Sequence, residues 1–231
     1  MSRSGLEMTT TSYAVLGLLC VQPWSAYELT RQMERSLRFV WPRAQSGIYR
    51  EPQRLVDLGY ATVRDAPAGP RRTKRIYAAT PAGRRVLRRW LATPSAPPQF
   101  ESEALLKFFF ADQGTVDDAR RALGELSAHA EELLTVFRAA SADYARDQGP
   151  FPNRLHIGSA FGRFVYHYAQ AMNAWAHWCA EHVNSWPDTG PAALPIGQAI
   201  QAENARLATL ANAAPTCGGT PTRRASRQRR Q

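Results

Sequence analysis

Arg43, Gln45, Ser46, Tyr49, Arg50 and Arg54 fall within one short stretch of the chain. Gln and Arg side chains carry the donor and acceptor pairs that match adenine and guanine edges, each good bidentate contact supplying about 1–3 kcal/mol of discrimination. Ser and Tyr hydroxyls suit phosphate oxygens. A second group, Arg71, Arg72, Lys74 and Arg75, flanks Thr73 just downstream, and its clustered charge suits phosphate anchoring more than base reading. The chemistry implied is recognition of a polyanion without bond breaking. No glycine-rich phosphate loop, HExxH, GxSxG or recognisable carboxylate pair accompanies it, so no enzyme is expected and no cofactor. Cys20, Cys179 and Cys217 are odd in number and form no CxxC. They suggest neither a disulfide framework nor a zinc knot, and His177, Cys179 and His182 do not share one helix face, so no metal site is expected.

The elements that would position these residues can be read from the pattern. Tyr13, Leu16, Gly17 and Cys20 give one face of a helix over about Thr10 to Val21, stopped by Gln22-Pro23. Ser25-Ala26-Tyr27-Glu28 has the form of a capping box opening a second helix that runs to about Phe39. Trp41-Pro42 breaks the chain. A third helix is expected from about Ala44 to Leu58, with Ile48, Leu55 and Leu58 inward and Gly59 at its end. Ala61 to Asp65 and Arg75 to Ala79 are strand candidates around Ala66-Pro67-Ala68-Gly69-Pro70, which has the composition of a loop. Thr80-Pro81 caps a fourth helix whose Val86, Leu87, Trp90 and Leu91 oppose Arg84, Arg85, Arg88 and Arg89. A helix followed by a basic hairpin is the order of a winged helix-turn-helix, in which one helix enters the major groove and the loop grips the backbone.

Charge divides the chain. Residues 1 to 92 hold 16 Lys and Arg against 6 Asp and Glu, a net of +10; residues 93 to 212 hold 8 against 13, a net of −5; residues 213 to 231 hold 5 against none. Such segregation implies a phosphate-facing head and a middle that avoids nucleic acid. Thr93-Pro94-Ser95-Ala96-Pro97-Pro98 reads as a linker. The expected organisation is a winged head over 1–92, a linker over 93–99, a helical domain over 100–212 and a disordered basic tail over 213–231. No apolar run approaches the roughly 18–20 residues that span a bilayer, and Met1 to Gly5 lacks the apolar core of a secretory signal, so a cytoplasmic address without membrane association is expected.

In the second domain a short apolar helix is expected over Glu101 to Phe110. From Val116 to Tyr144 an unbroken three-four spacing picks out Val, Ala, Leu, Leu, Ala, Leu, Phe, Ala and Tyr, the seam of a long helix. From Phe161 to His182 the same spacing selects Phe161, Val165, Tyr168, Met172, Trp175 and Cys179, and a second apolar surface carries Phe164, Ala171 and Trp178. A helix apolar on two sides needs two neighbours, and a subunit seam through the first set is expected. A last helix is expected over about Ile196 to Ala211. His156, His167, Tyr168, Trp175 and Trp178 also form a candidate set for a flat aromatic ligand, the rings clamping it and an imidazole meeting a polar substituent; a seam filled with aromatic side chains is the other reading.

Leu16-Gly17-Leu18-Leu19, Ser25-Ala26-Tyr27-Glu28-Leu29, Trp41-Pro42, Ser46-Gly47-Ile48-Tyr49, Arg54-Leu55 through Leu58-Gly59-Tyr60, and Tyr77 with Thr80-Pro81-Ala82-Gly83 together resemble the PadR family of bacterial transcription regulators. Glu103 to Asp112 is similar to the opening of the helical C-terminal domain of its longer members. The resemblance implies a mainly α fold, a winged helix-turn-helix with a two-stranded wing plus an antiparallel helical domain. It also implies a homodimer joined through the C-terminal helices, usually a repressor of an operator in double-stranded DNA, released by a small and in founding members phenolic ligand. One departure lies at the recognition helix. Proline commonly follows the tyrosine matching Tyr49, whereas here Arg50-Glu51 intervene before Pro52, which either kinks the helix or marks the first turn of its regular part.

The function expected is therefore that of a dimeric, sequence-specific transcriptional regulator, a repressor whose two heads meet a pseudo-palindrome and whose ligand changes the angle between them. Two alternatives stand beside it. One is a ligand-independent DNA-binding or architectural protein. The other is a small-molecule or metal-binding protein whose winged head has a role other than DNA binding, against which the segregated charge argues.

Overall fold

A computed structural model describes residues 7–41, 48–67 and 72–213. The chain divides into two compact units, Met1–Gln99 and Phe100–Gln231. Residues 94–102 carry neither helix nor strand.

The first unit begins with α1 (Thr10–Val21), opened by a reciprocal capping box between Thr9 and Ser12. The two-residue β1 (Trp24–Ser25) leads into α2 (Ala26–Ser36), where Ser25 and Glu28 cap one another as their spacing predicted. α2 stops at Ser36, short of Phe39, and the chain continues in turns to Val40. α3 is Glu51–Asp57, with Pro52 in its first turn. Of the helix expected from Ala44, residues 44–47 lie outside the described residues, Ile48 to Arg50 form a turn, and the regular part runs from Glu51. Proline explains the boundary, since Pro52 has no N–H to donate to the carbonyl of Ile48, a loss that costs nothing in the first turn, where that donor has no intrahelical partner.

Gly59 ends α3 in the left-handed region at φ 73°, a conformation that only glycine adopts without strain. β2 (Ala61–Pro67) and β3 (Thr73–Ala79) then pair antiparallel from Ala61 opposite Ala79 to Pro67 opposite Thr73. Both wing strands form, and β1 adds to the free edge of β3, with Trp24 opposite Tyr77, to give a three-stranded sheet. Two residues are too short a run for sequence periodicity to reveal. α4 (Pro81–Leu91) starts on Thr80, whose hydroxyl accepts from the Gly83 amide at 3.0 Å. A Cβ at Gly83 would lie 2.2 Å from the Tyr60 carbonyl oxygen, so glycine is what lets α4 close on the end of α3. Val15, Leu16, Leu19, Leu29, Met33, Ile48, Leu55 and Tyr77 fill the core. Trp90 stacks on Tyr13 at 4.8 Å, whereas Leu91, expected on the apolar face, is two-thirds exposed.

The second unit comprises α5 (Glu103–Phe109), α6 (Val116–Ala145), α7 (Leu155–Val183) and α8 (Leu194–Ala213). α6 and α7 pack antiparallel, as Arg120 Nε donating to Asn184 Oδ1 at 3.0 Å near one end and Phe137 meeting Tyr166 toward the other require. The α6 seam is buried from Ala119 through Leu123, Leu126 and Ala130 to Leu133. α7 starts six residues ahead of the expected Phe161, its first turns leaving Leu155 and Ile157 about half exposed. That absence of a buried stripe is why periodicity missed them. Val165, Met172 and Cys179, expected at a subunit seam, are buried within the chain, each under 10% exposed; a single face of α7 cannot serve both α6 and a second subunit, and α6 takes it. Among the described residues no helix is long and apolar enough to cross a membrane.

Candidate nucleic-acid interface

Of the residues with base- or phosphate-reading chemistry, Arg43, Gln45, Ser46 and Arg71 lie outside the described residues, as does the tail from residue 214. Tyr49 and Arg50 sit on the turn that enters α3, both exposed, Tyr49 to 62%. Neither side chain has a hydrogen-bond or ion-pair partner among the described residues. Arg72, immediately before β3, is likewise exposed. Of this set, Tyr49, Arg50 and Arg72 are the ones with no hydrogen-bond or ion-pair partner among the described residues. Ile48, next to Tyr49, is 1% exposed and anchors the turn in the core.

The other three cations are engaged. Lys74 Nζ donates to Glu28 Oε1 at 2.9 Å, tying β3 to the start of α2. Glu28 also accepts from the Ser25 backbone amide at 2.8 Å. That amide bond first, then the contact with Lys74, holds the Glu28 carboxyl down at about 2. Arg75 Nη2 donates to Gln53 Oε1 at 2.7 Å, joining the same strand to α3, and its guanidinium lies 5.6 Å from the Tyr77 ring centre. Arg54, expected to read bases, points inward. Its Nη1 donates to Ser12 Oγ at 3.3 Å and to Glu51 Oε1 at 3.2 Å, and its Nη2 to the Glu7 carbonyl. The reason is positional: Arg54 sits one turn after Glu51, i to i+3 on one face, and that face packs on α1. Sequence reading missed Glu28, Gln53, Glu51 and Ser12 as partners. Only the Glu51–Arg54 spacing carried a usable signal.

Arg84 Nη1 donates to the Cys20 carbonyl at 2.8 Å, while Arg85, Arg88 and Arg89 border an open groove of about 540 Å³ with Tyr60 and Val86. Trp24 and Trp41 are structural, their indole N–H groups donating to the Leu18 carbonyl and the Thr11 hydroxyl, each at 3.1 Å.

In the second unit Tyr168 and Trp175 line an apolar groove of about 280 Å³ with Phe100, Leu105, Leu126, Ala171 and Met172. The other members of the candidate ligand set are elsewhere. Trp178 packs on His182 with ring centres 4.4 Å apart, His167 lies against Tyr166, and His156 is exposed in the first turn of α7. At 1.5 Å of rise per residue, His156 is roughly 28 Å along the helix from Trp175. The five do not form one clamp. Burial raises the Tyr168 phenol above its ordinary value and the Cys179 thiol to about 11. Among the described residues no cluster of His, Cys, Asp and Glu could hold a metal ion.

Residues 15–89 match the transcriptional regulator PadR-like family, and residues 102–184 match the family described as virulence activator alpha C-term. Residues 15–89 thus carry a domain of the PadR-like family of transcriptional regulators. It is a family of regulators and not of enzymes. The negative transcriptional regulator PadR of Bacillus subtilis is 33% identical over 104 residues, which are 45% of this chain and 57% of that protein; the match thus spans little more than half of its length. The structure of B. subtilis PadR in complex with operator DNA superposes with a TM-score of 0.64 at 21% identity, covering 76% of this chain and 99% of that one. The same protein in complex with p-coumaric acid gives a TM-score of 0.58 at 22% identity, covering 75% and 98%. These likenesses establish a PadR-type fold, with its winged head and helical second unit.

Proposed function

We propose that this PadR-like chain is a cytoplasmic, homodimeric, sequence-specific DNA-binding regulator, a repressor released by a small aromatic ligand. The observation that carries the reading is the placement of Tyr49 and Arg50, exposed and without a partner among the described residues, at the start of α3, with Arg72 at the wing, on a head of net charge +10. α3 is offered to the major groove. The wing is offered to phosphate. That a relative with the same fold is known in complex with operator DNA supports the assignment.

Homodimerisation rests on what the second unit leaves uncovered. With Val165, Met172 and Cys179 internal, the seam for a second copy is drawn through Trp175 and Phe164 of α7 and Leu106, Phe109 and Phe110 of and beside α5, which are between 36% and 77% exposed. Two heads would then meet half-sites about 34 Å apart. For the ligand, the groove of Phe100, Tyr168, Met172 and Trp175 is the candidate, supported by the p-coumaric acid complex of the relative. Release requires a difference in ligand affinity between the bound and free states of only about 1–3 kcal/mol. The groove's small volume and its lack of an imidazole favour a second reading, a regulator that answers to no ligand.

The first experiment is binding to the DNA upstream of its own coding region against a scrambled duplex across a salt series. Preference for the upstream duplex is the expected result. Equal, steeply salt-dependent binding to both would favour the architectural reading.

A further inference from the structure

Arg54 occupies the last turn of α3, yet both Nη atoms are spent on residues of its own chain. The two Nη1 hydrogens go to Ser12 Oγ and Glu51 Oε1, one Nη2 hydrogen goes to the Glu7 carbonyl, and Nε is buried. A guanine edge needs two parallel N–H donors on one side of the guanidinium, and burial of Nε together with the engagement of Nη1 leaves no such pair. The partners are as telling. Ser12 is fully buried, and its hydroxyl also accepts from the Thr9 amide at 3.0 Å, within the box that opens α1. Glu51 is 9% exposed and lies in the first turn of α3, directly after Arg50. One guanidinium therefore joins the start of α1, the segment before it and both turns of α3.

This arrangement is costly for the fold. Glu51 Oε2 and Arg54 Nε are buried with no hydrogen-bond partner, and a pair of apolar side chains would fill the same space without desolvating two charges. What an ion pair supplies that apolar packing does not is directionality. We infer that Arg54 and Glu51 are positioning residues for sequence recognition: their fork fixes the rotation of α3 on α1, and so the angle at which Tyr49 and Arg50 meet the duplex, without either touching DNA. The inference rests on the DNA-binding reading above.

The test uses the full-length protein and a duplex that the wild type enriches from a random library. Affinity is measured for that duplex and for a scrambled one, with salt slopes and thermal melts, for Arg54→Lys, Glu51→Gln, the double variant, and Arg54→Met/Glu51→Leu as a folded apolar replacement. The expected result is a tenfold or greater fall in the ratio of the two affinities in each variant, with no further fall in the double, while the scrambled duplex keeps its affinity and salt slope. Recovery of the full wild-type ratio by the apolar pair would overturn the role given to the ion pair. So would loss in Arg54→Lys but not in Glu51→Gln, which would make Arg54 a base reader. A fall in both affinities in step with melting temperature would reduce the pair to support of the fold. Failure of the wild type to enrich any sequence would defeat the DNA-binding reading itself, and the inference with it.

Discussion

At the scale of single residues, the basic side chains of the head divide by what they already touch. Arg72 is exposed and has no partner among the described residues, whereas Lys74 is held at 2.9 Å by Glu28. Each phosphate contact removed lowers the slope of log affinity against log salt by about 0.9. Arg72→Ala is therefore expected to shallow that slope by about one unit and Lys74→Ala by clearly less, which titration at four salt concentrations would resolve. Equal changes would mean that Lys74 leaves Glu28 on binding. Glu28 also gives the fold a defined acid sensitivity. Its carboxyl is held at about 2, against 4.5 in an unperturbed carboxylate, so the stability it contributes is fully present above pH 4.5 and is lost as pH falls toward 2. Melting curves of Glu28→Gln should lie below wild type at pH 7 and converge with it near pH 2. A constant gap across that range would assign the loss to packing instead.

At the scale of elements, the decisive features are boundaries and close approaches. The capping boxes at Thr9 and Ser25 set where α1 and α2 begin, and Ser25→Ala should cost about 1 kcal/mol through loss of the cap. Gly83 sets how near α4 comes to the end of α3. A methyl placed 2.2 Å from a backbone carbonyl oxygen cannot be absorbed by a side-chain rotation, so the backbone must move. Gly83→Ala is expected to destabilise the head by about 1–3 kcal/mol, the range for overpacked sites, in a urea melt of the whole chain. An unchanged midpoint would mean that α4 shifts freely. The same element logic explains the third helix. Apolar spacing from Ile48 to Leu58 suggested a long helix, and the backbone chemistry of Pro52 shortened it.

At the scale of the whole molecule, the second unit exposes more apolar surface than one chain needs. Phe109, Leu106 and Phe110 are each more than half exposed, and α8 leaves Leu207 and Leu210 uncovered as well. Patches of that kind mark association surfaces. If the α5 patch forms the seam with a second copy, Phe109→Glu should shift sedimentation from dimer to monomer and weaken operator binding at least tenfold, while each head keeps its melting transition. A monomeric wild type, or a variant still dimeric, would remove α5 from the seam.

The sequence alone determined what is local. Caps, turn residues and proline or glycine stops depend on chemistry within four or five residues, so α1, α2, α4, the wing and the long α6 were legible, and segregated charge marked the basic head without any coordinates. Tertiary structure decided what depends on partners distant in the chain. Whether a cation is free or engaged turns on residues such as Glu28, 46 positions from Lys74, or Ser12, 42 positions from Arg54. Whether an apolar stripe is core or seam turns on which helix reaches it first, and α6 claimed the Val165, Met172 and Cys179 face. A side chain's type and spacing state what it can bind; only the fold fixes which of the available partners lies within about 3 Å.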